Sequence, residues 1–153
     1  YPLYVYMASE RMDERYDMVR AVRDEQYRYI RNYMPFRPTM QYLRTLFGLP
    51  STQSWLNEYK AGRTNEIQSM FFHEKPAEEL YDPHKDPWNV NNLAKDPAYS
   101  EILERMRKAE MEWRREIRDV GLIPEDEYGY YAGEKSMYDY MRSDECPFEE
   151  LMQ

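Results

Sequence analysis

The sequence predicts an α+β fold in which a small antiparallel sheet is packed by one long C-terminal helix. Three observations point there. Met18-Val19-Arg20-Ala21-Val22-Arg23 and Tyr27-Arg28-Tyr29-Ile30-Arg31-Asn32-Tyr33 alternate large or apolar residues with Arg, the period of a half-buried strand. Only Asp24-Glu25-Gln26 separates them, a polar loop of hairpin length. Further on, Tyr99, Ile102, Leu103, Met106, Trp113, Ile117 and Val120 recur at helical spacing on an otherwise charged rod.

Taken in order, Pro2-Leu3-Tyr4-Val5-Tyr6-Met7 reads as a first strand, rich in aromatic and β-branched residues. Tyr1 stands where a natural start has Met; a processed or cloned terminus would explain this, and the preferred reading is a chain cut from a longer protein. A dense charge cluster, Ser9 to Arg15, leads into the hairpin. There the Arg side chains are expected to share a face, with carboxylates or solvent opposite. Pro35, Pro38 and Pro50 break up the next stretch, leaving room for about two turns of helix between Thr39 and Phe47. Ser51 to Ala61 reads as a capped helix ended by Gly62, and Thr64 or Asn65 as the cap of another carrying Ile67, Met70 and Phe71 inward. Glu79-Leu80-Tyr81-Asp82 is a brief strand, with turn chemistry at Asp82-Pro83 and Asp86-Pro87. Asp96 caps the long helix, Pro97 takes its first position, and Gly121 with Pro124 stops it. Beyond Ile123 the chain turns acidic and rich in Tyr, and reads as a wrap over a neighbouring surface rather than a second core.

Composition narrows the function. The chain has 153 residues, the size of one domain or subdomain, with 16 Tyr, 3 Trp and 5 Phe, which argue against disorder. A net charge of −8 disfavours a binder of nucleic-acid phosphates. No apolar run reaches the roughly 18 residues of a membrane span, and no leader pattern is present, so any export signal lies outside this chain. One Cys excludes an internal disulfide framework.

The candidate chemistries are sparse. His73 and His84 have no partner at zinc-site spacing. Cys146 lies among Asp144, Glu145, Glu149 and Glu150, which oppose thiolate formation. There is no Gly-x-Ser-x-Gly elbow, and 5 Gly leave little scope for phosphate-cradling loops. Asp13 with Glu14 or Asp17 forms a carboxylate cluster whose simpler reading is salt bridging to Arg11 and Arg15. The residues themselves show scaffold and little chemistry, catalytic or metal-binding.

Two segments nevertheless resemble a known family. Val19-Arg20-Ala21-Val22-Arg23-Asp24-Glu25-Gln26-Tyr27-Arg28-Tyr29-Ile30-Arg31-Asn32-Tyr33 is similar to a hairpin of type R-x-x-R-x-x-x-Y-K-Y-I. Ala77 to Ala94, with Glu79-Leu80-Tyr81-Asp82, Asp86-Pro87 and Asn92-Leu93, is similar to E-L-Y-D-L-x-x-D-P-x-E-x-x-N-L. Together, followed by a long closing helix, they resemble the C-terminal subdomain of the sulfatases, within the alkaline-phosphatase-like superfamily. Asn32-Tyr33-Met34-Pro35-Phe36-Arg37-Pro38 resembles the branch that holds heparan N-sulfatase and bacterial relatives. Pro83 stands where the family has Leu, and Asn89 where it has Glu. Asp82 and Asp86 are expected to fix the turns, and Leu80, Tyr81, Val90 and Leu93 to bury the loop against the sheet.

The resemblance implies residues 1–123 as that subdomain and residues 124–153 as an acidic, Tyr-rich extension. It implies a parent protein that hydrolyses sulfuric esters or sulfamates, on a sulfated carbohydrate, with export to the periplasm, the cell exterior or a lysosome. The family's formylglycine arises from a C/S-x-P-S-R motif, and its calcium is held by Asp and Asn, both in a larger N-terminal catalytic domain. Cys146-Pro147-Phe148 does not match that motif, so no catalytic residue and no metal ligand carries over. The fragment alone is expected to be inactive. Arg11 and Asp13, just after the first strand, are the candidates for contacting substrate at the pocket rim. Two other readings stay open: a stand-alone non-catalytic interaction module, and a fragment of a related phosphodiesterase or phosphonate hydrolase. If the hairpin packs on a missing catalytic domain, Tyr and Ile side chains form an exposed apolar patch. Internal burial of Val19, Val22, Tyr29 and Ile30 together would argue against a missing partner.

Overall fold

The computed structural model describes residues 4–152. Four strands form one antiparallel sheet: β1 (Val5–Ser9), β2 (Val19–Arg23), β3 (Arg28–Asn32) and β4 (Glu78–Tyr81), in the order β1-β2-β3-β4. Part of the expected first strand, residues 1–3, lies outside the described residues. Between β3 and β4 the chain makes α1 (Arg44–Phe47), α2 (Pro50–Lys60) and α3 (Glu66–Ser69). After β4 come the long α4 (Ser100–Ile117) and three short helices, α5 (Tyr128–Ala132), α6 (Met137–Met141) and α7 (Phe148–Leu151). The architecture is α+β, as the residue patterns predict. Compact packing divides the chain into two units, Tyr1–Met106 and Arg107–Gln153.

The hairpin forms where alternation predicts it, and Asp24 closes it. Its Oδ1 accepts the N–H of Gln26 at 2.9 Å and of Tyr27 at 2.5 Å, an Asp-held turn. Register then decides the faces. Val22 pairs with Tyr29 and Tyr29 with Leu80, and all three are fully buried, each contributing about 1.5–3 kcal/mol. The Tyr29 hydroxyl, buried with its ring, donates to Glu78 Oε1 at 2.6 Å.

The arginines do not share one face. Arg20 and Arg31 are cross-strand partners on the Val22 side, and Arg23 and Arg28 are partners on the other. A five-residue strand puts Arg20 and Arg23 on opposite faces because their separation is odd. Arg20 is buried, ion-paired with Glu10. Of the four residues that test for a missing partner, Val22 and Tyr29 are buried, while Val19 and Ile30, on the opposite face, are only half-buried.

The connecting helices follow their local signals in part. Asn65 caps α3 through a capping box with Gln68. Gly62, at φ 67, ends α2 in the left-handed region open to glycine. The expected two turns near Phe47 reduce to one, α1, within a proline-bounded loop. Asp96 Oδ1 accepts the Ala98 N–H at 2.9 Å, but Pro97–Tyr99 form a 3₁₀ turn, and α4 follows. α4 ends three residues early. Arg118 at φ 53 breaks it, and Asp119 accepts from Arg114 Nε at 3.0 Å, so a buried ion pair and not Gly121 sets the stop. The start of α4 is tied to the hairpin turn by Arg105, which donates to Asp24 Oδ2 at 2.6 Å.

β4 has its outer edge filled by one side chain. Asn92 Oδ1 accepts the Leu80 N–H at 3.0 Å and its Nδ2 donates to the Glu78 carbonyl at 3.1 Å. The Leu93 N–H completes the pattern on the Leu80 carbonyl at 2.8 Å. Asp82 and Asp86 fix their turns as expected: Asp82 Oδ1 accepts from the N–H groups of His84 and Lys85, and Asp86 Oδ2 from that of Asn91. Leu80 and Tyr81 are buried, but Val90 is exposed, so the loop is pinned by polar bonds more than by its valine.

The acidic tail, expected as a wrap and not a second core, has a core of its own. Ile123, Ala132, Met137, Tyr140, Met141 and Phe148 form a buried cluster of their own, with Val120, Leu122 and Leu151 packed against it. Helices of four or five residues bring too few turns to show a period, so the sequence pattern hides this core.

Candidate functional site

β1 delivers the chain to a short exposed turn. The Met12 N–H donates to the Arg15 carbonyl, and the Arg15 N–H to the Met12 carbonyl, both at 2.9 Å. That leaves two residues at the tip, with Asp13 at φ 49, a conformation Asp tolerates better than most side chains. Arg11 and Asp13 are both exposed, and Arg11 Nε donates to the Asp13 carbonyl at 3.4 Å.

What makes this turn a candidate is the anchoring on each side. Before it, Glu10 pairs with the buried Arg20 of β2. After it, the Asp17 side chain is fully buried and gathers three donors: Lys75 Nζ at 2.5 Å, Arg15 Nη2 at 3.2 Å and the Met18 N–H at 3.0 Å. A half-exposed charge pair before it and a buried one after it thus bracket a tip of charged side chains in water. Fixed anchors of this kind pre-set the position of loop groups before a ligand arrives.

The carboxylate cluster separates in space. Asp13 is exposed at the tip, Glu14 Oε2 accepts the Arg44 N–H at 3.4 Å, and Asp17 is enclosed by its cations. The Lys75 partner of Asp17 lies 58 residues away, with no local signal to mark it.

Other titratable groups have structural surroundings. His84 Nε2 lies 2.8 Å from the Glu25 carbonyl, and the His73 ring meets Tyr59 edge-on. Among the described residues no group of three or more His, Cys, Asp or Glu could hold a metal ion. Burial pushes the Cys146 thiol up, while the Arg118 charge pulls it the other way, so desolvation and not the acidic neighbours is the main cause. Burial, reinforced by the bond to Glu79, pushes the Tyr81 phenol well above the usual tyrosine range. No helix among the described residues is long and apolar enough to cross a membrane.

Comparison with known proteins adds what the geometry alone does not. No family model matches the chain. Over 125 residues, 81% of the chain, it is 37% identical to an ulvan-active sulfatase of Formosa agariphila, covering 21% of that protein. It is 26% identical over 112 residues to the N-sulphoglucosamine sulphohydrolase of Homo sapiens, covering 71% of this chain and 22% of that one. Among solved structures, a 2-O GAG sulfatase aligns with a TM-score of 0.45 at 23% identity, over 76% of this chain and 17% of the other. The chain spans about a fifth of the length of the curated relatives it matches.

Proposed function

The chain belongs to the sulfatase family, and from that premise we propose that it is the C-terminal subdomain of an enzyme hydrolysing sulfuric esters or sulfamates on a sulfated carbohydrate. The 37% identity across 81% of the chain is the observation that carries this reading. In it, residues 1–123 complete the fold and part of the pocket wall, and residues 124–153 are an extension.

The nucleophile and the calcium come from the remainder of the polypeptide. Among the described residues no group of three or more His, Cys, Asp or Glu could hold a metal ion. Their part is binding. Arg11 supplies a cation, and Asp13 a carboxylate, on a turn held rigid by Glu10–Arg20 and Asp17–Lys75. A guanidinium pairs with a sulfate through two parallel N–H donors, and a carboxylate accepts from sugar hydroxyls. A compartment outside the cytoplasm goes with the same reading.

The test is turnover by the full-length gene product on an aryl sulfate, alongside residues 1–153 alone. Full-length turnover with none from the short chain is the expected result. Turnover by residues 1–153 alone, or full-length activity on a phosphodiester in place of the sulfate ester, sinks the assignment. In an active parent, Arg11→Ala and Asp13→Ala should each raise KM for a sulfated oligosaccharide by about tenfold, the worth of one hydrogen bond to a charged group.

A further inference from the structure

Exposed apolar side chains gather at one place on the first unit. Ile67, Met70, Phe71, Trp88 and Val90 are all exposed, and all line a groove of about 790 Å³. Its floor is the sheet, through Arg28 of β3 and Glu79 and Tyr81 of β4, which share one face by register. Its walls are the stretch from α3 to Pro76 and the loop that carries Trp88 and Asn89.

Trp88 is 86% exposed, although an indole is normally among the better-buried side chains. Its loop is held in place. Asp86 accepts the Asn91 N–H at 2.7 Å, and Asn89 sits in the left-handed region at φ 52. A fold that pins this loop by hydrogen bonds and leaves its indole in water has built a contact surface.

Two polar atoms of the lining residues are sealed inside the chain and do not face the groove's mouth. Arg28 Nε and Asn89 Oδ1 are buried and have no hydrogen-bond partner. Native folds rarely leave such atoms unmatched. Glu79 does not serve Arg28, since its two oxygens accept from Asn32 Nδ2 and the Tyr81 hydroxyl at 2.6 Å each. The remaining lining charges balance: Lys75 is engaged by Asp17, and Glu74 opposes Arg28 in sign. That balance suits an apolar occupant better than a polyanion.

We propose that this groove is the seat on which the rest of the sulfatase polypeptide docks. The proposal rests on the family reading above, with the chain spanning about a fifth of its relatives' length. The docking segment covers Trp88, Phe71 and Met70 with apolar side chains.

Oxidative footprinting of the full-length protein tests this, with Met70 and Trp88 each compared with the same residue in urea. Oxidation of a thioether or an indole by hydroxyl radical follows exposure, so a docked groove slows both by at least about tenfold at any protein concentration and without additives. Trp88→Asp should restore Met70 oxidation to near the unfolded rate. Four outcomes overturn the proposal. The residues oxidise within about threefold of the unfolded rate; protection grows with protein concentration, which assigns the groove to a second copy; protection needs an added sulfated tetrasaccharide, which assigns it to a ligand; or Met70 in Trp88→Asp stays as protected as before. Aryl sulfate turnover is read separately: protection in a protein without turnover keeps the docking seat and sinks the activity, and the reverse result does the opposite.

Discussion

Asp24 holds the β2–β3 turn and also receives Arg105 from α4, and its acidity records both roles. Burial raises its carboxyl, but the N–H groups of Tyr27 and Gln26 and the Arg105 guanidinium outweigh that and bring it below its ordinary value. A carboxyl lower in the folded than the unfolded state stabilises the fold above the unfolded value, about 3.9, and loses that contribution as pH falls through the folded one. Asp24→Asn should therefore lose most stability at neutral pH, and the gap from wild type should narrow below about pH 4 in urea titrations. Asp17 has a larger effect. Asp17→Ala leaves the Lys75 ammonium enclosed without its partner and should cost about 3–5 kcal/mol. Asp17→Leu with Lys75→Met should recover most of that loss in the same titration, because an apolar pair needs no desolvation of charge.

At the scale of elements, β4 depends on a side chain from outside the sheet. Asn92→Ala removes the partners of the Leu80 N–H and the Glu78 carbonyl. The expected loss is about 1–3 kcal/mol, with faster hydrogen exchange at the Leu80 amide while the β2–β3 amides keep their protection. The elements that sequence reading recovers are those whose cause is local: the hairpin from alternation, the α3 cap from Asn65 and Gln68, the Asp82 and Asp86 turns. What it misplaces depends on details no motif marks, some of them local and some remote. The early end of α4 comes from Arg118 and the Arg114–Asp119 pair, where glycine chemistry points to Gly121. The splitting of the arginines across two faces is a matter of odd spacing inside an alternating run. Arg11 and Asp13 can be picked out as exposed charges, but the anchors that fix them, Arg20 and Lys75, come from remote positions.

Over the whole molecule, the two units have separate sources of stability. Met141 is fully buried in the cluster of the second unit, beside Phe148 and Tyr140. Met141→Ala should cost that unit about 2–5 kcal/mol, read as raised hydrogen exchange across residues 107–153 with β2 and β3 unaffected. The sheet itself is asymmetric. Its β4 border is sealed by Asn92 and Leu93, whereas β1, an uncharged Val-Tyr-Met-Ala-Ser run, forms the opposite border. Among the described residues the outer groups of β4 are taken, so strand addition is expected at β1. Two copies meeting there would consume both growing ends at once, so self-association of this chain would terminate at a closed pair and not propagate into a fibril.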